Sequence, residues 1–149
     1  MNYTLPFTAI VGMDLVKRSL LYHAIDPKLG GLLLMGHRGC AKSTLARAFR
    51  EILPALETAE TTPFVEVPLG TSEDRLLGSI DASRLLENGE WSAQTGLIQQ
   101  ANGGVLYIDE VNLLPDHLVD SILDSAASGQ HRIERDGLSK TVSARYILI

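Results

Sequence analysis

The apolar residues of this chain follow two different spacings, and the two alternate along the sequence. Short runs rich in aliphatic and β-branched residues predict buried strands, and segments with apolar residues three or four apart predict helices between them. Strands that alternate with helices favour an α/β fold, here a three-layer αβα sandwich around a parallel sheet with hairpin inserts. The predicted strands cover 32–35, 64–67, 104–108 and 145–149, and the predicted helices cover 14–25, 44–53, 95–102 and 115–128.

Two less regular stretches predict the inserts. One lies between Pro68 and Trp91 and combines a short helix with an Asn-Gly turn signal at 88–89. The other, 131–142, reads as a hairpin that turns at Asp136-Gly137. The inward faces of the long helices are predicted from their spacing. For helix 14–25 the inward residues are Val16, Leu20, Leu21, Ala24 and Ile25, and for helix 44–53 they are Leu45, Ala48, Phe49 and Ile52. For helix 115–128 they are Leu118, Ile122, Leu123 and Ala126. The short helix is indicated by Leu76, Leu77 and Ile80.

The turn between the first strand and the second helix carries the clearest chemical signal. It reads Gly36-His37-Arg38-Gly39-Cys40-Ala41-Lys42-Ser43. A strand, a glycine-containing turn and Lys-Ser at a helix start are typical of a P-loop, whose backbone N–H groups bind phosphate. Lys42 is predicted to contact the β- and γ-phosphates, Ser43 to ligate Mg²⁺, and Thr44 to contact the α-phosphate. The glycine expected before the lysine is Ala41, which is costly there if its φ is positive.

A second motif lies at the end of the run Gly104-Val105-Leu106-Tyr107-Ile108-Asp109-Glu110. A buried parallel strand delivers such acids to its carboxyl end, where open α/β sheets bind their ligands. Asp109 is predicted to complete the Mg²⁺ site with Ser43. Glu110 is predicted to polarise the attacking water. Lys42 and Glu110 are therefore the candidate catalytic residues of an ATP- and Mg²⁺-dependent enzyme.

Composition narrows the remaining possibilities. The net charge of −5 gives no electrostatic footprint for nucleic acid. No apolar run is long enough to predict a membrane-spanning helix, and the first residues lack a secretory signal. The four histidines lack the spacing of a zinc site, and Cys40 is the only cysteine. These features predict a protein of the cytoplasm or of a plastid stroma.

Several longer stretches resemble the AAA+ ATPase subunit of magnesium chelatase, and the resemblance covers nearly the whole chain. The stretches 116–120 and 123–129 are specific to chelatase-type ATPases rather than to P-loop proteins at large. The matching stretches read LPFTAIVG from Leu5, AIDP from Ala24, GHRG from Gly36, LGTSEDR from Leu69, LYIDEVNLL from Leu106, DHLVD from Asp116 and LDSAASG from Leu123.

The resemblance implies an AAA+ nucleotide-binding core over residues 1–149, working as a hexameric ring with other chelatase subunits. In that family ATP hydrolysis drives a partner that inserts Mg²⁺ into protoporphyrin IX. Ile10 and Val11 are implied to pack on the adenine. Sensor 1, the arginine finger and the helical lid are expected beyond Ile149, so the chain alone is expected to bind ATP with little turnover.

A second functional interpretation of the sequence is also open. Relatives of the MoxR type share the same core and often carry Ala-Lys where this chain has Ala41-Lys42, which favours a chaperone that remodels proteins or assists metal-centre assembly. The run from Asp124 to Gly129 favours the chelatase instead. A third possibility is an interaction module that binds nucleotide without hydrolysing it.

Overall fold

The computed structural model describes residues 5–37, 39–54, 61–81, 92–135 and 138–149. Its strands are β1 Phe64–Val67, β2 Ser79–Asp81, β3 Ser92–Gln94, β4 Val105–Ile108, β5 Gln130–Arg135, β6 Leu138–Ser143 and β7 Ile147–Leu148. Its helices are α1 Asp14–Ile25, α2 Lys42–Arg50, α3 Glu73–Leu77, α4 Leu97–Gln100 and α5 Asp116–Ser128. Three 3₁₀ turns cover Phe7–Ala9, Pro27–Leu29 and Val111–Leu113.

A parallel sheet of order β1-β4-β7 lies at the centre of the molecule. Successive side chains of a strand point to opposite faces, so β4 contributes to two separate cores. Val105 and Tyr107 pack with α1 and α2, whereas Leu106 packs with α4 and α5. All three of these side chains are buried. The sheet is therefore covered on both faces, as the predicted three-layer αβα sandwich requires.

The prediction of a buried core strand over 32–35 is wrong, because no strand forms there and two of the four side chains are exposed. The Leu32 N–H donates to the carbonyl of Leu148 over 2.8 Å, but no regular ladder follows. Leu32 and Leu34 pack against the core, whereas Leu33 is 69% exposed and Met35 is 86% exposed. This apolar run therefore buries only one of its two faces. Such a run cannot be told from a central strand by composition alone.

The buried arcs of the helices are narrower than their apolar spacing predicted. Leu21, Ile25, Ile52 and Leu123 are exposed, and Ile52 lies beyond the end of α2. Polar residues occupy part of the inward faces instead, His23 in α1 and Ser125 in α5. The helix predicted over 95–102 shortens to α4, and Ile80 belongs to β2 rather than to the short helix.

Both predicted hairpins are present as antiparallel pairs, β2 with β3 and β5 with β6. The turn residues predicted for them, 88–89 and 136–137, lie outside the described residues. Asn102 fastens the second hairpin to the main sheet: its Oδ1 accepts from the Ser143 hydroxyl and from the Arg145 N–H, each over 2.9 Å. The long hairpin is thereby joined to the turn that leads into β4.

Candidate functional site

The first turn of α2 presents its backbone N–H groups without a side-chain cap. The residue before the helix, Ala41, makes no capping hydrogen bond, and the first turn contains no acidic residue. The initial N–H groups of a helix have no partner within the helix and lie at the positive end of its dipole. This end of α2 is therefore suited to an anion such as phosphate.

Lys42 folds back over the loop that precedes the helix. Its Nζ donates to the carbonyl oxygens of Gly36 and His37 over 2.7 and 3.0 Å and lies 3.5 Å from the Cys40 Sγ. The side chains of His37 and Cys40 are exposed beside it. The ammonium group is thus held by the loop itself. Arg38, another predicted loop residue, lies outside the described residues.

Asp109 and Glu110 follow β4 directly, at the carboxyl end of the central strand. Asp109 is exposed and Glu110 is half-buried. Tyr107 lies two residues earlier on the same face of β4 and is buried. The structure thus places Ser43, one predicted Mg²⁺ ligand, in the first turn of α2 and Asp109, the other, directly after β4.

Arg47 and Glu66 form an ion pair at the same edge. Arg47 lies one turn after Ser43 on α2, and its Nε donates to the Glu66 Oε1 over 2.6 Å. The hydrogen bond to Glu66 raises the pKa of Arg47, with smaller contributions from the charges of Tyr107 and Asp109. Burial raises the pKa of Tyr107, and the negative charge of Asp109 adds to this rise. The charges of Arg47, Glu66 and Asp109 therefore influence one another at this edge.

Backbone strain is concentrated at this edge of the molecule. Among the described residues, three that are not glycine have a positive φ: Met13 at 55°, Ala41 at 59° and Glu110 at 54°. A side chain makes this conformation unfavourable, and such residues gather at binding and active sites. One lies just after the predicted adenine segment, one in the phosphate loop and one at the predicted water-orienting acid. The positive φ of Ala41 makes it a costly replacement for glycine.

The two residues implied to contact adenine differ in exposure. Ile10 is 6% exposed and belongs to the core beneath α1 and α2, whereas Val11 is 96% exposed. The Lys17 Nζ donates to the backbone carbonyl of Ile10 and so fixes the segment between the first 3₁₀ turn and α1. Only Val11 of this pair offers an exposed apolar side chain to a base.

The oxygen donors at this edge fit a Mg²⁺ ion that arrives with a nucleotide. Mg²⁺ prefers oxygen ligands and usually keeps several waters, with one or two carboxylates and substrate phosphates. The Ser43 hydroxyl and the Asp109 carboxylate supply such donors. In the described part of the chain no group of three or more His, Cys, Asp or Glu side chains could hold a metal.

Sequence reasoning missed Tyr107, Arg47 and Glu66. Two of them carried a signal, because Tyr107 is two residues before Asp109 on a strand and Arg47 is four residues after Ser43 on a helix. Each spacing places the two side chains on the same face. The third, Glu66, could not be placed without the register that sets it opposite Tyr107.

A parallel sheet with a phosphate-type loop before α2 and acids after β4 defines a P-loop nucleoside triphosphatase fold. The family model described as AAA domain (dynein-related subfamily) matches residues 31–144. The chain belongs to this AAA family. Membership implies the use of a nucleotide and of Mg²⁺ in general, with ATPase activity as the class of reaction.

Individual relatives extend the comparison. The chain is 49% identical to the uncharacterized protein Rv2850c of Mycobacterium tuberculosis, over 97% of this chain and 23% of that protein. It is 44% identical to the magnesium-chelatase subunit ChlI of Olisthodiscus luteus, over 97% of this chain and 49% of that subunit.

A solved structure is similar throughout the chain. It is the complex between subunits BchI and BchD of magnesium chelatase, based on a cryo-EM reconstruction, and one of its chains matches with a TM-score of 0.86 and 42% identity. The match covers 98% of this chain and 54% of that one. The chain thus spans about half the length of its chelatase relatives, and less of the mycobacterial protein. None of the helices in the described ranges combines the length and the apolarity that a membrane crossing requires.

Proposed function

We propose that this chain is the ATP-binding core of an AAA motor subunit in a magnesium-chelatase-type complex, whose ATP hydrolysis drives Mg²⁺ insertion into protoporphyrin IX. Three observations support the proposal: the uncapped start of α2, the Lys42 ammonium bonded to the carbonyls of the preceding loop, and Asp109 directly after the buried central strand β4. The similarity to chelatase subunits supports the choice of complex.

Each residue has a defined task in this proposal. The loop amides from His37 to Ser43 and the Lys42 ammonium bind the phosphates, and Thr44 adds a hydroxyl at the α-phosphate. Ser43 and Asp109 provide oxygen ligands for the cation, and Val11 with the backbone of Ile10 borders the base. Bound Mg²⁺·ATP supplies the phosphoanhydride that is cleaved. The protein contributes positioning and electrostatic stabilisation, as in other phosphoryl-transfer enzymes.

Glu110 orients and polarises the attacking water. Its left-handed conformation turns the chain immediately after Asp109, so the two adjacent acids need not share a direction. In the full-length protein, Glu110→Gln keeps the shape of the side chain but removes its basicity. ATP binding is expected to persist while turnover falls by about 100-fold or more. Turnover at the wild-type rate would assign the water-orienting role to another residue.

The partners are tested with the full-length protein. In the proposed assembly it forms a ring, hexameric by analogy with the family, in the cytoplasm or a plastid stroma. Combined with the other chelatase subunits, ATP and protoporphyrin IX, the wild-type protein is expected to support Mg²⁺ insertion, and Glu110→Gln is expected to abolish it. ATP hydrolysis without metal insertion would instead favour the remodelling function of MoxR-type relatives.

A further inference from the structure

Helix α2 carries Ser43 and Arg47 on one of its faces. The two residues are four positions apart, about one helical turn, so their side chains project in the same direction. Other residues of the helix are fully buried in the core, namely Leu45, Ala46, Ala48 and Phe49. Apolar burial is not directional. A polar contact between α2 and the sheet can therefore set the position of the helix more sharply than the core does.

Arg47 makes such a contact with strand β1. Its Nε donates to the Glu66 Oε1 over 2.6 Å, which is a short charge-assisted hydrogen bond. A hydrogen bond weakens steeply as its angle departs from linear, so it restrains direction as well as distance. Because the two residues are 19 positions apart in the sequence, the bond joins two elements of the fold rather than the ends of one turn.

Strand β1 is in turn held in register with the strand that leads to Asp109. Glu66 is paired with Tyr107, which lies two residues before Asp109. Tyr107 packs in the core that α2 covers, and paired residues of neighbouring strands face the same side of a sheet. Glu66 therefore projects toward α2, where Arg47 binds it. A continuous series of contacts connects α2 to Asp109 through this pair of strands.

The proposed cation takes one protein ligand from each of these two parts of the molecule. Ser43 belongs to α2, and Asp109 directly follows β4. Mg²⁺ is small and demands near-ideal octahedral geometry with short distances to its oxygen ligands. A small shift of the helix relative to the sheet would change the separation of the two oxygens. The affinity of the site for Mg²⁺ therefore depends on how the first turns of α2 are fixed to the sheet.

We propose that Arg47 and Glu66 are positioning residues for the magnesium site: their ion pair joins α2 to β1 and thereby sets the separation between Ser43 and Asp109. The pair acts through these two ligands and does not itself bind the cation. This inference rests on the proposed function, because it presumes that Mg²⁺ binds with nucleotide at Ser43 and Asp109. An ion pair between half-exposed side chains contributes little to stability, so its removal is expected to alter the site more than the fold.

The test measures how the affinity of the full-length protein for fluorescent ADP depends on Mg²⁺. Arg47→Gln/Glu66→Gln removes both members of the pair, so the net charge at this edge does not change. The Mg²⁺ concentration that gives half of the full increase in affinity is expected to rise about twofold to fivefold. The affinity for ADP in EDTA is expected to change less than about twofold. A pair that only stabilised the fold would not separate these two quantities.

Arg50→Gln/Glu51→Gln is the matched control. The Arg50 Nη2 donates to the Glu51 Oε1 over the same 2.6 Å, and the two side chains are also partly exposed. Both residues lie at the carboxyl end of α2, and their bond does not join the helix to the sheet. The Mg²⁺ requirement of this variant is expected to equal that of the wild type.

The single variants Arg47→Gln and Glu66→Gln complete a double-mutant cycle. Either change alone breaks the pair, so the effect of the double variant is expected to be smaller than the product of the two single effects. Arg47→Lys serves if the double variant does not fold. It keeps the positive charge but loses the Nε donor, and is expected to raise the Mg²⁺ requirement about twofold.

An unchanged Mg²⁺ requirement in the folded Arg47→Gln/Glu66→Gln variant would overturn the inference. An equal rise in the control, or single effects that multiply to the double effect, would do the same. If the double variant does not fold, an unchanged requirement in Arg47→Lys decides against it. Failure of the proposed function is distinguishable, because the wild-type protein would then show no Mg²⁺-dependent binding of ADP at all.

Discussion

Two polar regions within the described residues are built in opposite ways. At the carboxyl edge of the sheet, Lys42 and Asp109 are charged and accessible, and the backbone is strained at Ala41 and Glu110. Behind the sheet, Tyr146 and Ser125 are buried and bonded to each other over 2.6 Å. The contrast separates a surface shaped to receive a ligand from an interior network that holds α5 against the chain before β7. Substitutions in the first region are expected to alter binding, and those in the second to alter stability.

The largest effect is expected from Lys42→Ala. This change removes the charge-assisted contacts to the phosphates, and ATP affinity is expected to fall by about 100-fold or more. Stability is expected to change by less than about 0.5 kcal/mol, because the side chain bonds to groups of an exposed loop. Isothermal titration calorimetry and urea unfolding measure the two quantities. Lys28→Ala, on the exposed 3₁₀ turn after α1, is the matched control, and equal losses in both variants would contradict the role of Lys42.

Tyr146→Phe is expected to give the reverse result. The phenol donates to the Ile122 carbonyl over 2.9 Å and shares a hydrogen bond with the Ser125 hydroxyl. Loss of these buried bonds is expected to lower the free energy of unfolding by about 1–2 kcal/mol, with ATP affinity unchanged. A clear loss of affinity would show that the two regions are coupled.

The same phenol makes wild-type stability depend on alkaline pH. Burial raises the pKa of Tyr146 to about 12 from 10.0. The neutral form is therefore favoured in the folded state, so this stabilisation is complete below pH 10 and is lost as the pH rises toward 12. In urea unfolding between pH 9 and 12, Tyr146→Phe is expected to show a weaker decline than the wild type.

Ala41→Gly tests the strain in the loop. Glycine accepts the φ of 59° without a side-chain clash, which outweighs its greater freedom in the unfolded chain. The free energy of unfolding is expected to rise by about 0.5–1 kcal/mol. Ala127→Gly in α5, where the backbone is helical, is expected to lower it. Destabilisation by both variants would mean that the loop does not hold Ala41 in the left-handed region.

The smallest effect is expected from His131→Gln on β5, and it concerns how stability depends on acidic pH. The His131 Nε2 is buried and lacks a hydrogen-bond partner within the described residues. Burial lowers the pKa of the ring, while the Leu77 carbonyl and the charge of Asp124 act in the opposite direction. The neutral ring is favoured in the folded state, so its stabilisation is present above pH 6.5 and is lost as the pH falls. His131→Gln is expected to flatten that slope in urea unfolding from pH 7 to 5, and an unchanged slope would assign it to other groups.

The sequence predicted the structure best where a residue pattern is compatible with only one kind of element. The run Val105–Ile108 is apolar at successive positions, as a strand buried on both faces requires, and it places Asp109 at the sheet edge. The run at 32–35 has a similar composition but lies at an edge, where burial depends on what lies beside it. The Arg47–Glu66 pair joins residues 19 positions apart, and its existence depends on how α2 packs against β1. Composition predicts neither the surroundings of 32–35 nor the packing of α2 against β1.

The most direct test of the account is a crystal structure of this chain with a non-hydrolysable ATP analogue and Mg²⁺. The triphosphate is expected to lie over residues 36–43 with Lys42 beside it, and the cation is expected between Ser43 and Asp109. A nucleotide bound at another surface, with residues 36–43 free of phosphate, would contradict the central claim.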